Sequence, residues 1–235
     1  MNGASRYLER ATRIYHQQFL AKENQGNPSV ANGADYLTKH GIGSVDIVRK
    51  YRLGIVIDPI EETDERFKGM LAIPYLTRGG VKAIRFRNLN GGKPKFAQPE
   101  GQPIRLYNVA AYFDESEIIG LAEGEIDAIA ATERLGIPTI GIPGSTQWAG
   151  KAKIWTPIFK DYPMVIMFAD GDPVDELTGL RPGRELAKTI GQSLKWRLKT
   201  IEMPEGEDVS SMVAAGRIDE IHIPTIEVEV DNGEE

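Results

Sequence analysis

The spacing of hydrophobic residues changes along this 235-residue chain. In the first part, apolar positions recur at helical spacing and then alternate with polar ones, which predicts three helices followed by four short strands. The helices are expected at 5–22, 30–40 and 44–50. The strands are expected at 53–57, 69–75, 81–87 and 95–97. The turn Arg78-Gly79-Gly80 predicts a hairpin between the second and third of these strands. We therefore expect an α+β lobe over residues 1–112.

From residue 113 onward, apolar runs and helical patterns alternate regularly. Strands are expected at 118–123, 138–142, 164–169 and 197–202. Helices are expected at 125–135, 151–160, 181–193 and 207–216. This order is typical of a mostly parallel sheet covered by helices, so we expect an α/β domain over residues 113–216. An edge strand at 222–230 and a loose acidic tail would complete the segment 217–235.

Charge divides the chain at nearly the same place. Residues 1–110 carry 17 Lys and Arg against 10 Asp and Glu, whereas residues 111–235 carry 11 against 24. The net charge of −6 therefore conceals a basic half followed by an acidic half. We expect a polyanion to bind the first half, and a metal with acidic ligands to lie in the second.

The composition limits which metals the protein can bind and in which compartment it is expected. The chain has no cysteine, which excludes disulfides and thiolate zinc sites, and its three histidines show no ligand spacing, so no zinc is expected. There is no signal peptide and no apolar run of membrane length. We therefore expect a cytoplasmic protein with no membrane partner.

Acidic residues follow two of the predicted buried strands. Glu123 ends one apolar run, and Asp170 and Asp172 follow another. Ligands of parallel sheets bind beyond the carboxyl ends of the strands, where both groups fall. Residues i and i+2 of an extended segment share a face, so the two aspartates can approach one divalent ion or two neighbouring ions. Magnesium fits such a set, although Asp-Gly-Asp alone is more often a simple turn.

The order of these acids resembles a known domain. Glu123-Gly124, then Asp127, then Asp170-Gly171-Asp172 after a later strand is similar to the TOPRIM domain of primases and topoisomerases. Other segments resemble bacterial DnaG-type primases and their phage relatives. These are residues 36–42 (YLTKHGI), 51–54 (YRLG), 82–87 (KAIRFR), 93–96 (KPKF), 105–108 (RLYN) and 206–211 (GEDVSS).

Three departures from the family pattern stand out. His40 occupies the position of the usual arginine, and Ser210 or Ser211 replaces the second acid of the late motif. The cysteine-based zinc module and the helicase-associated module of the family have no counterpart in this sequence. A separate zinc-binding module and a replicative helicase are therefore candidate partners.

The resemblance implies a DNA-directed RNA polymerase of primase type. Such an enzyme synthesises short RNA primers from ribonucleoside triphosphates on single-stranded DNA, here in phage DNA replication in the host cytoplasm. It implies Mg²⁺ or Mn²⁺ as the cofactor and Glu123, Asp170 and Asp172 as catalytic residues. The implied metal ligands are these three with Asp127 and Asp208. The implied nucleic-acid- and nucleotide-binding residues are Lys82, Arg85, Arg87, Lys93 and Lys95.

Several alternatives remain open from the sequence. A TOPRIM-type nuclease would use the same metals to hydrolyse DNA, and a non-catalytic replisome module would keep the fold to bind nucleic acid. Glu123 is either a metal ligand or the group that handles a proton. Phe96 and Tyr107 either stack on a base or belong to the core. Strict alternation on strand 81–87 places Arg85 and Arg87 on the face of Val81, opposite Lys82.

Overall fold

The computed structural model describes residues 3–144 and 146–226. Three helices open it, namely α1 (Gly3–Leu20), α2 (Pro28–Lys39) and α3 (Val45–Lys50). The Asn27 side chain accepts a hydrogen bond from the Ser29 amide at the start of α2, and Ser44 accepts one from Ile47 at the start of α3. All three helices confirm the prediction from the hydrophobic spacing.

An antiparallel sheet follows, with its strands in chain order. It consists of β1 (Gly54–Ile55), β2 (Leu71–Thr77), β3 (Gly80–Arg87) and β4 (Phe96–Ala97). Helix α1 packs on one face of this sheet, where Tyr15, Phe67 and Phe86 are buried together. The predicted hairpin joins β2 to β3.

A bulge in β3 corrects one detail of the prediction. The pairing with β2 slips by one residue between Tyr75 and Leu76, which leaves Lys82 as the extra residue. Val81 therefore packs in the core beneath α1. Strict alternation predicted that Val81 and Arg85 share one face of the sheet, and this prediction was wrong. Arg85 lies on the opposite face of the sheet, toward the second half of the chain.

The second half forms a parallel sheet in the order β6-β5-β7-β8. Its strands are β5 (Ile118–Glu123), β6 (Thr139–Ile142), β7 (Met164–Ala169) and β8 (Leu198–Glu202). Its helices are α4 (Glu125–Ala130), α5 (Gln147–Trp155), α6 (Pro182–Leu194) and α7 (Val209–Ala214). This architecture confirms the predicted α+β lobe followed by a TOPRIM-like α/β domain with a parallel sheet.

Three elements differ from the expectation. Helix α4 ends at Ala130, and a π-helical turn over Ala131–Leu135 takes the place of its expected end at 135. Helix α5 begins four residues before the predicted start, and a 3-10 turn over Thr156–Phe159 replaces its expected last turn, with Pro157 in that turn. The expected edge strand at 222–230 lies partly outside the described residues, and the part that is described, 222–226, forms no strand.

One hydrophobic core joins the two sheets. It runs without a break from Leu37 and Tyr75 in the first half to Ile126 and Phe168 in the second. The division at residue 112 therefore stays a prediction about sequence units, while the packing is continuous across it. None of the helices within the described ranges is long and apolar enough to cross a membrane.

Candidate metal and nucleotide site

A cleft of about 340 Å³ lies between the two sheets. The antiparallel sheet contributes a basic and aromatic wall, formed by Arg85, Arg87, Lys95 and Phe96. The parallel sheet contributes an acidic wall, formed by Glu123, Asp127, Asp170, Asp172 and Asp208. Glu125 also lines the cleft, so six carboxylates lie together with three cations.

All five predicted metal ligands line this cleft, but two of the five predicted nucleic-acid-binding residues do not. The Lys82 ammonium group donates to the carbonyl oxygen of Gly79, 2.7 Å away, in the β2–β3 hairpin. Lys93 is exposed in the loop before β4. Arg85, Arg87 and Lys95 are the predicted cations that the fold brings to the acids.

The Asp170-Gly171-Asp172 segment is held by backbone pairing to the stretch before α7. The Gly171 amide donates to the Glu207 carbonyl at 2.8 Å, and the Gly206 amide donates to the Gly171 carbonyl at 2.7 Å. A Cβ atom on Gly171 would overlap the facing backbone, so this close approach requires glycine. The pairing brings the start of α7 beside the end of β7.

The two aspartates of this segment have different surroundings. Asp172 accepts a hydrogen bond from the Gly183 amide at the start of α6, at 3.1 Å. Asp170 has a buried oxygen, Oδ1, with no hydrogen-bond partner among the described residues. Burial raises the pKa of the Asp170 carboxyl, and the carboxylates of Asp127 and Glu123 raise it further. This is the electrostatic environment that a bound cation would relieve.

Asp127 and Asp208 are linked through Ser210. The Ser210 amide donates to the Asp127 carboxylate at 2.9 Å, and the Ser210 hydroxyl donates to the Asp208 carboxylate at 2.8 Å. Asp208 also caps α7 by accepting from the Ser211 amide at 2.7 Å. Burial raises the pKa of Asp127, and the charge of Asp208 adds to this effect. The serines that replace the family's second acid therefore orient the two remaining acids.

Sequence reasoning missed Glu125. Its side chain is fully buried, and its Oε1 atom accepts from the Arg85 guanidinium and from the Tyr75 hydroxyl, each at 2.6 Å. The sequence signal was an acid two residues after Glu123 in the first turn of a predicted helix, but nothing in the sequence pairs it with β3. Arg85 is thus paired with a carboxylate of the protein. Arg87 and Lys95 also line the cleft, and no carboxylate among the described residues lies within ion-pair distance of either one.

The aromatic residues separate into two groups. The Phe96 ring lies against the guanidinium groups of Arg85 and Arg87, with centroid distances of 4.1 and 4.9 Å. Tyr107 is 1% exposed and packs against the Tyr75 ring, so the structure places it in the core rather than on a nucleic-acid surface. Trp148 and Trp155 are also buried.

The donors suit magnesium or manganese, although they do not form a closed cage. Across residues 3–144 and 146–226, no three Asp, Glu or His side chains converge tightly enough to make a ready-made metal cluster. Magnesium is usually held by one or two carboxylates together with waters and substrate phosphates, which a half-open acidic cleft allows. The unpartnered buried oxygen of Asp170 and the all-carboxylate donor set both fit such an ion.

The arrangement of an antiparallel lobe, a parallel sheet and an acidic cleft between them is the fold of DnaG-type primase catalytic cores. A DNA primase domain from Pseudomonas aeruginosa is similar over 92% of this chain and 78% of its own length, with 21% identity and a TM-score of 0.67. A DnaG primase catalytic domain bound to single-stranded DNA is similar over 92% of this chain and 80% of its own length, with 17% identity and a TM-score of 0.64. At these identities the likeness shows the fold.

The chain belongs to the family of the Gene 57 protein of Mycobacterium phage D29. The two sequences are 41% identical over 158 residues, which is 63% of this chain and 93% of the phage protein. No family model matches the chain.

Proposed function

We propose that this chain is a DNA primase core that synthesises short RNA primers on single-stranded DNA during phage DNA replication. The observation that carries the proposal is the cleft, in which the five carboxylates not paired with Arg85 lie at the ends of β5 and β7 and at the starts of α4 and α7, facing Arg87 and Lys95. The fold supports it, and so does the single-stranded DNA bound to a similar primase domain. The reaction joins a 3′-hydroxyl to the α-phosphate of a ribonucleoside triphosphate and releases pyrophosphate.

In this proposal the acidic wall holds Mg²⁺ or Mn²⁺. Asp170 and Asp172 are the principal ligands and catalytic residues, with Glu123, Asp127 and Asp208 around the same ion or ions. A bound divalent ion supplies positive charge that lowers the pKa of the attacking hydroxyl and neutralises phosphate oxygens. The protein's part is to keep the carboxylates in place through Gly171 and Ser210 before substrate arrives.

Glu123 has a distinct position at the end of β5, just before Gly124 with its φ of +105°. This turn points the chain into α4 and leaves the Glu123 side chain lining the cleft. As a third catalytic residue, Glu123 either completes the metal site or accepts a proton from the attacking hydroxyl.

The basic wall is proposed to bind nucleotide and template phosphates. Arg87 and Lys95 are placed to do so directly, while Arg85 acts mainly through its ion pair with Glu125. Lys82 and Lys93 lie outside the cleft and would contact the template farther along its backbone. Phe96 offers a ring face beside these cations for a base.

The proposed function also includes a domain organisation, a set of partners and a compartment. The proposed units are a basic lobe over residues 1–112, a catalytic domain over 113–216 and an acidic segment over 217–235. The proposed partners are the template, ribonucleoside triphosphates, a replicative helicase and a separate zinc-binding module. The proposed compartment is the host cytoplasm.

The test is incorporation of labelled ribonucleotide on single-stranded DNA with Mg²⁺ or Mn²⁺. We expect Asp170→Ala and Asp172→Ala each to abolish synthesis, while Asp219→Ala, an exposed acid that does not line the cleft, leaves it intact. Full activity of the Asp170 and Asp172 variants would overturn the metal assignment. Cleavage of DNA by the wild type without any incorporation would favour a nuclease, and neither activity would favour a binding module.

A further inference from the structure

A second basic surface lies on the other side of the antiparallel sheet. It is a depression of about 590 Å³ lined by residues of α1 and by residues in and just after α3. Its cationic residues are Arg10, Arg13, Arg49 and Arg52. Helix α1 covers the sheet face that holds Val81, whereas the cleft lies against the face that holds Arg85. The two basic surfaces are therefore separated by the sheet.

Specific contacts fix this surface in place. The His16 imidazole Nδ1 lies 2.7 Å from the Leu53 carbonyl oxygen, which ties α1 to the segment carrying Arg52. The close packing of Gly54 against the α1 backbone reinforces this contact, because a Cβ atom there would overlap the α1 main chain. Arg13 and Arg52 are thus presented from two elements that cannot separate without breaking the fold.

The charge of this surface is not neutralised by the protein. All four arginines are exposed, and within the described part of the chain no carboxylate lies within ion-pair distance of any of them. The acid in the depression, Glu9, accepts a hydrogen bond from the Val81 amide at 2.7 Å. Some other exposed cations do have carboxylate partners, for example Lys39 with Asp35 and Arg184 with Glu202.

Arginine is the side chain best suited to phosphate, because its planar guanidinium donates two parallel hydrogen bonds to an oxyanion. Four arginines around one depression concentrate positive charge there, although the chain as a whole has a net charge of −6. We infer that this surface, defined by Arg10, Arg13, Arg49 and Arg52, is a second binding site for the phosphodiester backbone of nucleic acid, outside the catalytic cleft. The inference rests on the proposed function for the identity of the polyanion.

The experiment measures binding of labelled single-stranded DNA by fluorescence anisotropy over a range of salt concentrations. An oligonucleotide of about 6 nucleotides can fill one site, whereas one of about 24 can reach both. The neutralising variant is Arg13→Gln with Arg52→Gln. The control is Lys153→Gln with Lys160→Gln, which makes the same charge change at exposed positions on the opposite domain. Thermal melting checks that each variant is folded.

For the long oligonucleotide, losing two phosphate contacts should reduce the slope of log K against log salt by about 1.4, or weaken binding roughly 50-fold at 50 mM salt. The lysine control should show no such change, and the short oligonucleotide, which can still bind in the cleft, should show a smaller one. Arg13→Lys with Arg52→Lys, which keeps both charges, should recover most of the slope. These results would support the second site.

Three outcomes would overturn it. The first is an equal loss of DNA affinity in the arginine and lysine variants. The second is displacement of the labelled DNA by inorganic phosphate at a concentration equal to that of the DNA phosphates. The third is arginine-dependent binding to phosphatidylserine vesicles without any effect on DNA binding. The proposed function is judged separately, because ribonucleotide incorporation on a short template depends on the cleft acids and not on these arginines.

Discussion

Removing the Arg85 side chain should destabilise the protein strongly. The Glu125 side chain has no exposed area, and its carboxylate lies 2.6 Å from the Arg85 guanidinium and 2.6 Å from the Tyr75 hydroxyl. In Arg85→Met, the Glu125 carboxylate would lose the guanidinium and keep only the hydrogen bond from the Tyr75 hydroxyl. Breaking a buried ion pair by removing one partner costs about 3–5 kcal/mol. At about 2–4 °C per kcal/mol for a chain of this size, the Tm should fall by roughly 6–20 °C.

The assay is thermal and urea unfolding of the single variants and of Arg85→Met combined with Glu125→Gln. The double variant should regain more than half of the lost stability, because the neutral amide still accepts from Tyr75 but leaves no buried charge. The control is Arg105→Met, which removes the same charge from an exposed side chain and should change stability by less than about 0.5 kcal/mol. Equal stability of Arg85→Met and Arg105→Met would refute the reasoning.

Three further predictions concern the acidic wall. Asp170→Asn should raise the metal-free Tm at high pH and abolish any stabilisation by Mg²⁺. The raised pKa of Asp170 means that the folded wild type retains a proton that the unfolded chain has released, so wild-type stability in EDTA should fall as the pH rises from about 5 to 9. A flat pH profile in thermal melts would contradict this. Ser210→Ala removes a hydrogen bond to a carboxylate and should cost about 1.5–3 kcal/mol in urea unfolding, with a loss in kcat greater than the change in KM. Gly171→Ala should destabilise the protein by about 1–3 kcal/mol, because the added Cβ overlaps the facing backbone. Gly150→Ala, which has open space around it in a helix, should be neutral or stabilising. Equal melting temperatures for the two variants would argue against the close backbone approach at Gly171.

The hydrophobic pattern of the chain was enough to predict the order and type of most of its elements. Amphipathic spacing predicted the three opening helices, and apolar runs predicted β5 and β7, because burial on one face or on both faces leaves a characteristic pattern. The acids were identifiable for a related reason. Parallel strands end at one edge of their sheet, so Glu123 and Asp170 were expected at the same edge, and the pairing of β5 with β7 in the structure places them close together.

The partners of these residues could be seen only in the folded protein. Local pattern carried no information about the bulge at Lys82, which moves Val81 to the other face, because a bulge is set by pairing with a distant strand. It also could not show that Arg85 pairs with Glu125, since their 40-residue separation is closed only when the two sheets pack. The serines at 210 and 211 looked like a lost acid, yet the fold uses them to orient Asp127 and Asp208. Periodicity reports burial along one element, whereas the chemistry of this cleft depends on contacts between elements.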